Sequence, residues 1–531
     1  MTGRLTNKRA DDEFGAEGEA IMTDSTWNFD IPPGDEYNAE LVAHVHPPGW
    51  RPPAPEPMYN LVVIGAGTAG LISAIGCAAL GGKVALVERH LMGGDCLNVG
   101  CVPSKCLIRS SRAAAEMTGA ARFGLAPGLV APADFPAVME RLRRLRAAIS
   151  RNDSAHRYSE MGVHVFFGEA AFADQNTIQV NDVSLRFRKA IIAAGARAVH
   201  PNIPGLGEAD FLTNETVFNL KELPRRLVVI GGGPIGCELA QAFSRLGSMV
   251  TIVQHSRFLP REDREASEFL AQVFKREGIR VVLDARPVRV VKAGGGKQVT
   301  VQTRDGEQSI EADEILIGAG RQPNVEGLNL EKAGVAYNLR KGIQVDDFLR
   351  TTNRAIFAAG DICMDWKFTH AADAAARIAI QNALFKGRKR LSALNMPWCT
   401  YTDPEIAHVG LYEADAETSG IAVDTYKVAL DDVDRAITDG ETEGFVKVLV
   451  RKGTDRIVGA TIVAAHAGDL ISEISVAMAG KIGLKTIADV IHPYPTQAEA
   501  IRRVAAAYNR TRLTPRVAAL LKWWLKWQRT A

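Results

Sequence analysis

The chain has 531 residues, 47% hydrophobic and 23% charged, too many for one core and ordinary enough in composition for several packed domains. A formal net charge of +2 excludes the basic footprint of a nucleic-acid binder. No run approaches the ~18 apolar residues that would span a bilayer, and the opening MTGRLTNKRADDEFGAEGEA lacks the apolar core of a signal peptide, so the expected location is the cytoplasm.

Residues 1–57 are polar, then proline-punctuated, ending HPPGWRPPAPEPMYN, and read as an extended arm beside the first domain. His44 and His46 in that arm lack thiolate or carboxylate company and read as incidental. At Leu61 the character changes to LVVIGAGTAGLISAIGCAALGGKVALVER: an apolar strand, a turn with Gly65, Gly67 and Gly70, a helix of small residues, and a second strand ending in Glu88. Further on, RLRRLRAAISRN (141–152) has helical spacing and reads as a solvated face. KAIIAAGARA, with Gly195, is an apolar strand entering a small-residue turn.

The βαβ pattern returns as LVVIGGGPIGCELAQAFSRLGSMVTIVQHSRF, with Gly231, Gly233 and Gly236. Gly70 to Glu88 is eighteen positions, and Gly236 to Gln254 is also eighteen. Glycines let the backbone turn tightly and approach a pyrophosphate held on a helix N-terminus, so two such units point to two dinucleotides. DEILIGAGRQPN, with Gly320, is another strand and turn; a strand, Gly360-Asp361 and a helix follow. From about Leu394 the pattern becomes that of an appended α+β domain.

Seven cysteines, at 77, 96, 101, 106, 237, 363 and 399, are too few for a secreted disulfide framework in so long a chain. Three fall in GGDCLNVGCVPSKCL. Val102-Pro103 reads as a helix start, which places Cys101 at the positive end of that helix and favours its thiolate. Cys96 lies one loop upstream, near enough to close a small ring with Cys101; Cys106 points away and reads as packing. A metal site lacks further ligands at suitable spacing, which leaves a redox-active disulfide beside a bound dinucleotide.

From about Met58 to Arg510 the chain resembles the flavoprotein disulfide reductases, the group of glutathione reductase, dihydrolipoyl dehydrogenase and mercuric reductase. GGDCLNVGCVPSK carries the resemblance most specifically, with Gly360-Asp361, TDPEIAHVGL and HPYPTQAEA behind it in order. It implies an α/β fold of two Rossmann-type dinucleotide-binding domains plus a C-terminal α+β dimerisation domain. The expected boundaries are an arm to 57, an FAD-binding domain over 58–198 and 321–393, an NAD(P)H-binding domain over 199–320, a dimerisation domain over 394–510, and a tail from 511.

The resemblance further implies FAD at Gly65, Gly67, Gly70 and Glu88, with Asp361, Thr369 and His370 toward its ring end. NAD(P)H is implied at Gly231, Gly233 and Gly236. Electrons would pass from flavin to Cys101, with Cys96 the outward thiol, and Lys105 and Glu238 would be the charged pair beside the flavin. Gln254 lacks the charge by which a carboxylate repels a 2′-phosphate, and His255, Arg257 and Arg261 follow it, so NADPH is expected over NADH.

Where thiol-substrate members carry a histidine five residues before a glutamate, this chain has Tyr494 before Glu499. Reference pKa values of about 10 and about 6.5 separate the two side chains by ~5 kcal/mol of proton affinity, and tyrosine shuttles protons poorly at neutral pH. The resemblance is therefore to the mercuric reductase branch, working as a homodimer whose site is completed by Tyr494 and Glu499 of the partner subunit, with a small-molecule or metal-ion oxidant. The cysteine pair that those enzymes usually carry near the C-terminus is absent: no cysteine follows Cys399. The alternatives are a disulfide reductase using His492, and a redox-sensing or membrane-docked flavoprotein. The last rests on TPRVAALLKWWLKWQRTA, which fits either a helix packed on the dimer or a membrane-surface helix.

Overall fold

The computed structural model describes residues 31–125 and 132–530. Strands Val163–Phe167, Val84–Glu88, Tyr59–Ile64 and Val183–Ile192 lie side by side, all parallel, and Ile356–Ala358 returns from far along the chain to pair in parallel with the last of them. Their central segments, 61–64, 84–87 and 190–192, are apolar and buried because helices cover one face and strand and loop residues such as Phe172, Ile178 and Val325 cover the other. Thr68–Ala78 and Thr369–Phe385 cross there so closely that a Cβ on Gly76 would lie 2.7 Å from Ile380 Cδ1.

The second parallel sheet runs Arg280–Val282, Met249–Val253, Arg226–Ile230, Glu314–Ile317, beside a three-stranded antiparallel meander over 286–312. A five-stranded antiparallel sheet over 397–464 with helices Ala467–Ala479 and Glu499–Thr511 forms the third body. The architecture is therefore α/β, with two dinucleotide-binding sheets and an α+β domain.

Two sequence expectations are corrected. The arm is not simply extended: Glu36–Val45 is a helix, opened by Asp35, whose carboxylate accepts from Asn38 N at 2.9 Å, and its residues Leu41 and Val45 are buried in the first core. The basic run 141–152 is a solvated face only in part. Arg144 and Arg151 are exposed, but within helix Phe135–Ser150 Arg146 is only 2% exposed and Arg143 pairs with Asp35, so that side of the run binds the arm helix. The arm's histidines pack in the same region: His44 Nδ1 is 2.8 Å from Ser150 Oγ, and the His46 ring stacks on Phe167 at 3.9 Å.

Candidate active site

The two glycine turns are built alike. Gly65 N donates to Val87 O at 2.7 Å and Gly231 N to Val253 O at 2.9 Å, tying each turn to the end of its second strand. One residue on, Ala66 N donates to Glu88 Oε2 at 2.6 Å and Gly232 N to Gln254 Oε1 at 2.9 Å, the same bond in both units. A side chain is impossible at the third glycine of either: a Cβ on Gly70 would lie 1.7 Å from Gly65 O, and one on Gly236 would lie 2.1 Å from Gly231 O. Gly67 and Gly233 cap helices Thr68–Ala78 and Pro234–Leu246, whose N-terminal amides are suited to a pyrophosphate. These two cradles open into one cleft of about 2620 Å³ that also takes in Cys96, Cys101 and Lys105, so the residues present fit two dinucleotides with a redox pair between them.

Gly195 and Gly320 turn the chain at the cleft wall with φ of 66° and 109°. They brace one another's loops through Val199 N to Gly320 O at 3.0 Å and Asn324 N to Gly195 O at 3.1 Å. Burial raises the Glu88 carboxyl pKa, opposed by its bonds from Ala66 N and from His90 N at 2.8 Å.

Cys101 is the first residue of helix Cys101–Thr118 and Cys96 sits on the short helix Gly94–Asn98 before it. A hydrogen bond from Cys96 lowers the Cys101 pKa, with further help from Thr369 and Lys105 against burial; that same bond, and burial, raise Cys96. The pair thus holds its charge on Cys101, 3.3 Å from Thr369 Oγ1. Lys105 lies four residues further along that helix. Burial works against its ammonium, but Glu238 more than offsets this: Nζ is 2.8 Å from Glu238 Oε2 and the pKa is raised. Glu238 belongs to the second unit's helix, so this ion pair joins the two nucleotide-binding bodies beside the cysteines. Cys106 is half-buried against the second core, and burial raises its pKa.

Three residues escaped sequence reasoning. Arg321 bonds Asp95, next to Cys96, and lies 3.5 Å from Asp361 Oδ2; Asp361 itself is raised by burial. Tyr401 lies beneath Lys105 Nζ at 4.5 Å, and its N–H donates to Glu238 Oε1 at 2.9 Å. Arg146 donates to Asn98 O at 2.8 Å and to Asn38 Oδ1 at 2.6 Å, linking the loop between the two cysteines to the arm helix. Arg321 follows the Gly320 turn directly; the other two carry no local signal.

Of the remaining sequence candidates, His370 Nε2 is 2.7 Å from Pro397 O and its ring stacks on Phe368. His255 and Arg261 are exposed on the cleft wall near Gln254. Arg257 lines the cleft too, but its guanidinium is committed to Ser267 Oγ at 3.0 Å, Pro260 O at 2.7 Å and Glu262 O at 3.0 Å. Its side chain therefore holds its own loop at the cleft wall.

Tyr494 and Glu499 do not line this cleft within one chain. Tyr494 is 71% exposed and its hydroxyl donates to Asp434 Oδ2 at 2.9 Å, a bond that raises the phenol pKa. Glu499 is buried, accepts from Arg502 at 2.9 Å and Arg503 at 3.2 Å, and its Oε2 has no hydrogen-bond partner among the described residues. His492 Nε2 is 2.9 Å from Glu473 Oε1.

Residues 59–376 match the family model of the pyridine nucleotide-disulphide oxidoreductases, and residues 396–505 match that family's dimerisation domain, which supports a homodimer. A mercuric reductase of Staphylococcus aureus is 36% identical over 456 residues, 85% of this chain and 83% of that protein. A dihydrolipoyl dehydrogenase of the same organism is 34% identical over 84% of this chain and 96% of its own length. Among solved structures, the HOCl-induced flavoprotein disulfide reductase RclA of Escherichia coli superposes with a TM-score of 0.76 at 29% identity, covering 84% of this chain and 99% of that one. RclA has also been solved as a Cu(II) complex. Sequence, cradles and cysteine pair agree with these matches: the chain belongs to the pyridine nucleotide-disulphide oxidoreductases, FAD-dependent enzymes that take electrons from NAD(P)H.

Proposed function

We propose that the enzyme takes electrons from NADPH and delivers them through Cys96 and Cys101 to a soft metal ion, with Hg(II) the first candidate. The observation that carries this is Tyr494, an exposed phenol whose proton is held more tightly by its bond to Asp434. Reductive cleavage of a disulfide releases a thiolate that needs a proton, and this group is a poor source and sink of protons at neutral pH. Hg(II) binds two thiolates directly and leaves as the neutral metal after accepting two electrons, so NADPH and Hg(II) balance as NADP⁺, one proton and Hg(0). The resemblance to mercuric reductases, and the Cu(II) complex of RclA, favour a metal-ion oxidant.

Bound FAD supplies the relay between a two-electron hydride donor and a thiol pair. What the chain contributes is positional and electrostatic. The glycine cradles seat the two pyrophosphates. Cys101 keeps its thiolate through Cys96, Thr369 and Lys105. Lys105, held by Glu238, places a fixed positive charge next to the cysteines where negative charge develops. His255 and Arg261 would receive the 2′-phosphate of NADPH, since Gln254 offers it no repulsion. Tyr494 and Glu499 of the partner subunit would complete the site across the dimer, with the 71% exposed Tyr494 the group free to reach it and Glu499 held behind by Arg502 and Arg503.

A disulfide-reducing reading has one observation in favour, His492 beside Glu473, a carboxylate–imidazole pair two residues before Tyr494. Tyr494→His separates the readings. If a missing base limits disulfide reduction, this substitution raises turnover with a small disulfide, most clearly near the imidazole pKa of ~6.5, without raising turnover with Hg(II). The proposal fails if wild type already reduces glutathione disulfide or lipoamide rapidly.

A further inference from the structure

Thr514 caps a helix, Pro515–Gln528, by accepting from Val517 N at 3.3 Å, and proline at the first turn suits that start. None of its residues is buried. Helical spacing gathers Val517, Leu520, Leu521 and Trp524 into one stripe, which Trp523 and Trp527 widen on one side and Leu525 on the other. Leu520 and Trp523 are each 61% exposed, and the Trp524 and Trp527 rings lie 5.1 Å apart. On the opposite side Lys522, Lys526 and Arg529 recur at i, i+4 and i+7.

Charge decides what covers this face. From Arg510 to Thr530 there are six lysines and arginines and no aspartate or glutamate, in a chain whose formal net charge is only +2. A second copy of the helix would bring like charges together with no carboxylate to neutralise them. At ~1.5 Å per residue the fourteen residues span ~21 Å, short of the ~30 Å hydrocarbon core, and no helix among the described residues is long and apolar enough to cross a membrane. An amphipathic helix with tryptophans on the apolar face and cations on the other is suited to lie in the plane of a lipid surface.

We infer that residues 515–528 dock the enzyme on an anionic lipid bilayer, the tryptophans and leucines entering the headgroup boundary and the lysines and arginines meeting lipid phosphates. The inference stands on the tail and does not depend on the oxidant. The full-length holoenzyme is sedimented with vesicles of phosphatidylcholine containing phosphatidylglycerol, and with phosphatidylcholine alone, while brominated lipid reports tryptophan depth. The expected result is salt-sensitive binding to anionic vesicles with tryptophan quenching. Binding should weaken tenfold or more in the triple variant W523A/W524A/W527A and in K522E/K526E/R529E, with NADPH oxidation in solution unchanged. Absence of vesicle binding by wild type, or equal binding to neutral vesicles, overturns the inference. So does loss of the dimer in the tryptophan variant by analytical ultracentrifugation, which would show a second copy covering the face.

Discussion

Arg146→Met should loosen the loop that carries the redox cysteines. The Arg146 guanidinium, 2% exposed, donates to Asn98 O at 2.8 Å and Asn38 Oδ1 at 2.6 Å. Each charge-assisted bond contributes ~1.5–3 kcal/mol, so the gross loss is ~3–6 kcal/mol. Methionine recovers part of this, because it buries no charge and removes an Nε that has no hydrogen-bond partner. Asn38 cannot turn away to find a new donor, since its amide nitrogen already donates to Ile31 O at 3.1 Å and Pro33 O at 2.7 Å. A net cost of ~2–4 kcal/mol follows, concentrated where the two bonds are lost. Hydrogen exchange in the holoenzyme should therefore rise in the arm helix Glu36–Val45 and over 94–101, and much less in the dimerisation sheet. Arg146→Lys, able to serve one acceptor well, should fall between. Exchange in both segments within ~0.5 kcal/mol of wild type would refute the strut.

Reduced Cys96→Ser should retain a long-wavelength absorption band from the Cys101 thiolate beside oxidised flavin, and Cys101→Ser should lose it; equal spectra would reverse the assignment. Because the Cys101 pKa is lowered, the thiolate and the band should persist below the ~8.5 of a free thiol and disappear as pH falls through the lowered value, and Lys105→Met should move that loss to higher pH. NADPH should show a higher kcat/KM than NADH, and H255A/R261A should weaken NADPH far more than NADH, whereas Arg257→Ala should act on both alike through its loop; a wild-type preference for NADH would contradict the reading of Gln254.

What could be read from sequence was local. The glycine turns announce themselves because each element of the cradle lies within one βαβ unit, down to the bond from Ala66 N to Glu88 and its counterpart from Gly232 N to Gln254. The cysteine pair was legible for the same reason, with helix start and both thiols inside six residues. Arg146 was not: among five arginines of similar spacing between 141 and 151, the buried one is decided by Asn38 and Asn98, brought to it by folding. Tyr401 reaches Lys105 only because the α+β domain packs against both nucleotide-binding bodies. The bonds of Arg257 to Pro260 O and Glu262 O were not legible either, because a cation after a strand looks the same in sequence whether it meets a phosphate or its own loop's carbonyls.

The central claim is that electrons from NADPH reach a soft metal ion through Cys96 and Cys101. Its most direct measurement is anaerobic NADPH oxidation by the purified holoenzyme with Hg(II) supplied as a thiol complex, with evolved Hg(0) vapour quantified alongside. The account predicts one Hg(0) per NADPH, abolished in both Cys96→Ser and Cys101→Ser, with glutathione disulfide and lipoamide turned over at least about tenfold more slowly. NADPH oxidation that yields no Hg(0), or Hg(0) formation that survives loss of either cysteine, would contradict it.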